Sequence, residues 1–115
     1  MKKLLNLSNH NLTPQQTEEL STLGYQAIEL NTTDKQAWGQ LNPQDYKQIC
    51  NKILGSYAAD AYHLAGFPAA VVYVTKATTK PCYYAYSVRQ SIETVQEDGT
   101  VVKKNIFKHQ GFYLY

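Results

Sequence analysis

Apolar positions along this chain fall into two alternating patterns. Short runs suit strands, and longer stretches spaced i, i+3, i+4 suit helices. Lys2 to Leu7 is a short apolar run that predicts a first strand, and the polar loop Ser8-Asn9-His10-Asn11 follows it. Thr13-Pro14-Gln15-Gln16 is a helix start. Thr13 caps, Pro14 takes the first helical position, and Gln16 completes a capping box. This helix runs to Leu23 and stops at Gly24. Tyr25 to Leu30 predicts a second strand. Residues 31–41 are polar, with Trp38 and Leu41 as anchors and room for a short helical turn. Asn42-Pro43 repeats the cap-plus-proline signal. Tyr46, Ile49, Cys50, Ile53 and Leu54 then recur at helical spacing and predict a further helix.

Residues 61–74 admit two readings. Val71-Val72-Tyr73-Val74 is β-branched and aromatic, which favours a helix followed by a strand. The other reading is a strand at 61–65, a Gly66-Phe67 turn, and a helix over 68–77. Pro68 suits a first helical turn, and Lys80-Pro81 would break the helix before Cys82. This second reading continues the strand-helix alternation and yields a parallel sheet with right-handed crossovers, so it is preferred. Cys82 to Tyr86 is then a fourth strand. Ile92 to Glu97 and Thr100 to Phe107 form a hairpin around Asp98-Gly99. The expected fold class is α/β: a Rossmann-like, mostly parallel sheet flanked by helices, with a C-terminal antiparallel β-hairpin.

The 115 residues fit a single domain spanning residues 1–115. No apolar run approaches the ~20 residues that cross a bilayer. The apolar stretch after Lys2-Lys3 is too short for a signal peptide, so the expectation is a cytoplasmic protein without a membrane. Residues 1–75 carry five Lys and six acids, a net of −1; residues 76–115 carry six basic residues and three acids, a net of +3. That basic third is compatible with a phosphate-bearing ligand or with a solvated surface. Arg89 is the one Arg among eleven basic residues, which argues against duplex nucleic acid as a partner. Cys50 and Cys82 form no C-x-x-C pair and read as small buried hydrophobes; no zinc framework follows from them.

Open parallel sheets bind ligands beyond the carboxyl ends of their strands. Three loops are expected there. Ser8, Asn9 and His10 follow strand one, Gly66 and Phe67 follow strand three, and residues 87–91, with Ser87, Arg89 and Ser91, follow strand four. A histidine, an arginine, hydroxyls and a glycine turn opening a helix suit a phosphodiester. No acidic cluster on that edge is set to hold Mg²⁺, and no cofactor is expected. Each part also has a plainer reading. The Ser8 loop and the Gly66 turn can be simple connections, and Arg89 can pair with Glu93. His63 can be a satisfied interior histidine, and His109 a solvated neighbour of Lys108. The ten tyrosines can be packing residues.

Five segments carry a resemblance: Ser8-Asn9-His10-x-Leu12-Thr13, Ala65-Gly66-Phe67, Tyr86 to Glu93, Glu97-Asp98-Gly99-Thr100-Val101, and Phe107-Lys108-His109. Together they resemble the small Csx-type proteins of type III CRISPR loci, which are related to CARF domains and include ring nucleases. Some of those proteins have an acidic residue after the middle glycine, where this chain has Phe67. The resemblance implies a CARF-like fold and a homodimer that grips a cyclic oligoadenylate, cyclic tetra-adenylate first. It also implies cleavage by metal-independent 2′-OH attack that switches off antiviral signalling. A module that binds the same ligand without cutting it is the alternative. In the first reading His10, Arg89 and Ser87 are catalytic, with His10 the first choice for proton transfer and His109 the second. Ser8, Asn9, Gly66, Phe67, Ser91, Lys108 and His109 hold the ligand.

Overall fold

The computed structural model describes residues 1–115. Strand β1, Lys2–Leu7, leads through a loop to helix α1, Pro14–Thr22, and then to β2, Tyr25–Glu29. Helices α2, Thr32–Gly39, and α3, Tyr46–Ser56, precede β3, Ala61–Leu64. Helix α4, Pro68–Ala77, is followed by two long strands, β4, Cys82–Val95, and β5, Val101–Leu114. The five strands form one sheet in the order β2-β1-β3-β4-β5. The first three pairings are parallel and the last is antiparallel, so the mostly parallel α/β architecture with an antiparallel C-terminal pair holds.

Period-two alternation gives the sheet two unlike faces. Leu5, Leu7, Tyr62 and Leu64 point to the larger core, shared with Trp38 of α2, Cys50 and Ile53 of α3, and Ala70 and Val74 of α4. Leu4 and Ala61 point the other way, to a smaller core with Leu20 of α1 and Phe112 of β5. Each fully buried leucine contributes about 1.5–3 kcal/mol, so the β1 leucines tie both layers to one strand.

Local chemistry sets the boundaries. The capping box of α1 is complete: Thr13 Oγ1 accepts from Gln16 N–H at 3.2 Å, and Gln16 Oε1 accepts from Thr13 N–H at 3.0 Å. Strand 61–64 and helix 68–77 take the order that the alternation predicted. Helical spacing buries Ala70 and Val74 against the sheet, and that burial overrides the β propensity of Val-Val-Tyr-Val. Residues 32–39 form a full helix rather than a single turn, because Asn31 caps it by accepting from Asp34 N–H at 2.8 Å. Helix α3 starts at Tyr46, later than Asn42-Pro43 suggested. Asn42 Oδ1 is taken up by Gln44 N–H and Asp45 N–H, which makes a turn before the helix.

The largest correction concerns residues 87–91. They are not a loop at the sheet edge but part of β4, which runs unbroken from Cys82 to Val95. From the Ser87–His109 pair outward the two strands leave the body as an arm of nine cross-strand pairs, about 30 Å at ~3.4 Å each. The register shifts where the arm begins: Tyr86 pairs with Gly111 and Ser87 with His109, leaving Gln110 as a bulge. Gly99, at φ +85°, supplies the left-handed turn at the tip. The arm accounts for a long axis of 57 Å and a radius of gyration of 17.1 Å, against about 13 Å for a compact chain of this length.

Candidate functional site

The strand order reverses at β1: β2 lies on one side of it and β3 on the other. The crevice outside the carboxyl ends of β1 and β3 is therefore the place where this architecture receives ligands. The loops after both strands meet there. Ala65 N–H donates to Leu7 O at 3.1 Å. Ser8 Oγ accepts from His10 N–H at 3.1 Å, so the serine is buried in its own turn while Asn9 and His10 are exposed. Gly66 has φ +122°, and Trp38 Nε1 lies 3.1 Å from where a β-carbon would stand. That same Nε1 donates to Ala65 O at 2.8 Å, which pins the β3 loop to α2. Phe67 opens α4 but turns its ring onto Tyr46, 5.7 Å between centroids, within the larger core. Beside the β1 loop, Asn9, Thr32, Lys35, Gln36, Gly39 and Gln40 line a polar cleft of about 370 Å³.

Sequence reasoning passed over a second layer beneath this edge. Glu29, Asn6 and His63 are register partners on β2, β1 and β3, on the face toward α1. Asn6 is wholly buried and uses every polar atom. Its Nδ2 donates to Glu29 Oε1 and to His10 O, both at 2.8 Å, and its Oδ1 lies 2.7 Å from His63 Nδ1. Both partners of Nδ2 are pure acceptors, so the amide orientation is determined and Oδ1 faces the imidazole. His63 Nδ1 must then carry the proton, leaving Nε2 with its lone pair. Burial pushes the His63 pKa down to about 4, with Glu29 opposing and His109 adding to the shift. Glu29 Oε2 accepts from Leu12 N–H at 3.1 Å, and Lys35 lies 3.8 Å from Oε1.

His109 belongs to the same layer, not to solvent. Its side chain is 8% exposed, and Nε2 lies 2.5 Å from Glu19 Oε2 on α1. Glu19 Oε1 accepts from Phe112 N–H at 3.2 Å, so one carboxylate fastens the base of the arm to the body. The Phe112 ring stands between the two histidines, 5.7 Å from His63 and 5.0 Å from His109. The remaining expected site residues lie on the arm. Alternation puts Ser87, Arg89 and Ser91 on the His109 face, and Lys108 on the opposite one. Arg89 sits about 17 Å along the ribbon from the level of Leu64. It has no ion pair, because Glu93 faces Lys103 at 3.6 Å instead. Ser91 Oγ donates to Asn105 Oδ1 at 2.9 Å. The edge thus collects Ser8, Asn9, His10 and Gly66, while Ser87, Arg89, Ser91 and Lys108 stand away from it.

A family model described as "Uncharacterized protein MJ1673 family" matches residues 2–113. The chain belongs to the MJ1673 family. No curated protein matches it, and no solved structure does. The match reaches every element of this MJ1673-family chain, including the switch-point loops and the arm, and stops one residue short of the end of β5. No helix of it is long and apolar enough to cross a membrane. Its two cysteines are free and buried, and burial pushes the Cys50 thiol up to about 11 and raises Cys82, which suits packing rather than nucleophilic attack. The sequence did hold a signal for the buried layer. Asn6-Leu7, Glu29-Leu30 and His63-Leu64 each put a polar residue just before a leucine at the end of a parallel strand.

Proposed function

We propose that this protein is a homodimeric ring nuclease of type III CRISPR defence. In this reading a CARF-like, Rossmann-like domain binds a cyclic oligoadenylate in the cytoplasm, cyclic tetra-adenylate first, and opens it without a metal. The observation that carries the reading is the crevice at the strand-order reversal, where the polar loop after β1, with its exposed histidine, and the glycine turn after β3 that opens a helix share one edge. The chemistry needs little more than placement. A ribose 2′-oxygen attacks the adjacent phosphorus in line, the P–O2′ bond forms as P–O5′ breaks, and a linear product with a 2′,3′-cyclic phosphate results. The 2′-hydroxyl gives up a proton and the 5′-oxygen gains one. His10 serves this proton transfer. Asn9 and the backbone at Gly66 hold the phosphate.

The arm supports the dimer. A two-stranded ribbon is marginally stable alone, and one face of this one carries exposed Tyr86, Val88, Ile92 and Val102. A second copy covers that face in a two-fold assembly, matching the symmetry of the ligand. Arg89 stands on the other face of the arm, and in this reading its guanidinium binds ligand phosphate in ground and transition states alike. The test is incubation with labelled cyclic tetra-adenylate in EDTA, with light scattering on the same sample. Linear products ending in a 2′,3′-cyclic phosphate, from a dimer, are expected. Tight retention of the intact ring would make the protein a binding module. Neither cleavage nor binding would overturn the reading.

A further inference from the structure

One histidine on the crevice loop and one in the buried layer beneath it are tied to a single side chain. The Asn6 amide holds the His10 carbonyl through Nδ2 and the His63 imidazole through Oδ1. We propose that His63 is the general base of the reaction, positioned by Asn6 and Glu29, and that His10 is the acid. The inference rests on the phosphodiester reading above and divides its two proton transfers between two groups. His63 Nε2 takes the 2′-hydroxyl proton as the P–O2′ bond forms. His10 delivers a proton to the 5′-oxygen as P–O5′ breaks. The protons and charges balance, and return of one proton from His63 to His10 through solvent resets the pair.

Four observations point this way. The tautomer is fixed: Nδ1 donates to Asn6, so Nε2 is the basic atom. That atom has no hydrogen-bond partner. Asp45 Oδ1 is the one sealed side-chain polar atom lacking a partner, so Nε2 is not wholly sealed, although His63 as a whole is only 6% exposed. The row sits at the carboxyl ends of β1 and β3, where the strand order reverses. Finally, the row is costly as structure. Glu29, Asn6 and His63 occupy adjacent positions in a layer otherwise packed by Leu4, Leu20, Ala61 and Phe112, where apolar side chains would hold the fold as well or better. Burial keeps His63 neutral in the free protein, ready to accept a proton. A phosphodiester arriving beside it adds a negative charge that favours the imidazolium.

The test compares wild type with His63→Gln and Asn6→Ala in single-turnover cleavage of cyclic tetra-adenylate. It also follows the wild-type imidazoles by nitrogen NMR, with and without a 2′-O-methyl ring that cannot attack. Expected are a ~10²–10⁴-fold slower cleavage for His63→Gln with binding retained, and a smaller loss for Asn6→Ala. The NMR should show a proton on His63 Nδ1 and a titration that moves upward when the analogue binds. Cleavage by a folded His63→Gln at the parental rate overturns the inference, as does a proton found on Nε2. The NMR readings decide the matter even where His63→Gln fails to fold. An inert wild type overturns the ring-nuclease reading itself, and this inference with it.

Discussion

His63 ties the fold to pH in a direction that can be worked out. In the unfolded chain its imidazole titrates at the ordinary 6.5, whereas in the fold burial holds it down to about 4. Between those values the unfolded chain binds a proton that the folded chain refuses. The stability linked to His63 is therefore full above pH 6.5 and falls as pH drops toward 4. The loss is about 2 kcal/mol at pH 5 and about 3 kcal/mol at pH 4. Against a total of ~5–15 kcal/mol for a domain, such a loss moves a urea midpoint visibly. Urea melts of wild type and His63→Gln, run at several pH values from about 7.5 to 4 with constant m, isolate the contribution. Wild type should lose about 2 kcal/mol more than the variant between neutral pH and pH 5. Equal losses in the two proteins would show that His63 is not held neutral, and the tautomer argument built on its burial would fall.

The Glu19 carboxylate holds both His109 and the Phe112 amide. Glu19→Ala should therefore cost about 1–3 kcal/mol and strip hydrogen-exchange protection from the Phe112 amide, whereas Glu93→Ala on the exposed arm should cost less than ~1 kcal/mol. No change in the Phe112 amide would mean that the arm is anchored elsewhere. Gly66→Ala should cost at least ~1 kcal/mol in thermal melts, because φ +122° excludes a β-carbon and Trp38 closes on it. Gly55→Ala, in α3 with open space around it, should instead stabilise by ~0.5–1 kcal/mol. If the two substitutions behave alike, the Gly66 turn is not strained.

What could be read from the chain was what local chemistry decides. The capping box at Thr13, the helix after Pro68 and the turn at Gly99 each follow from residues within a few positions of one another. The Ser8, Asn9, His10 and Gly66 edge follows too, because strand-helix alternation dictates which loops share a side. The stretch from Ser87 to Ser91 failed for the opposite reason. Ser-Val-Arg-Gln-Ser looks like a loop by composition, and only the facing strand, from Asn105 to His109, makes it a ribbon. His109 looked solvated beside Lys108 because its partner lies ninety residues earlier.

The buried row is the instructive case, since its three members were visible singly and unremarkable singly. Asn6 sits in an apolar run, Glu29 ends another, and His63 reads as an interior histidine. Register makes them a unit, because Asn6 faces Glu29 on one side and His63 on the other. A slip of one residue in β1 would turn Asn6 to the opposite face and put a leucine between the acid and the imidazole. Register here is set by the leucines that alternate with Asn6, Leu5 and Leu7 on one face and Leu4 on the other. Packing thus aligns the polar row, and Asn6 carries the alignment outward to the His10 carbonyl. The hydrophobic pattern that specifies the fold is also what brings the edge loop and the buried imidazole into register with each other.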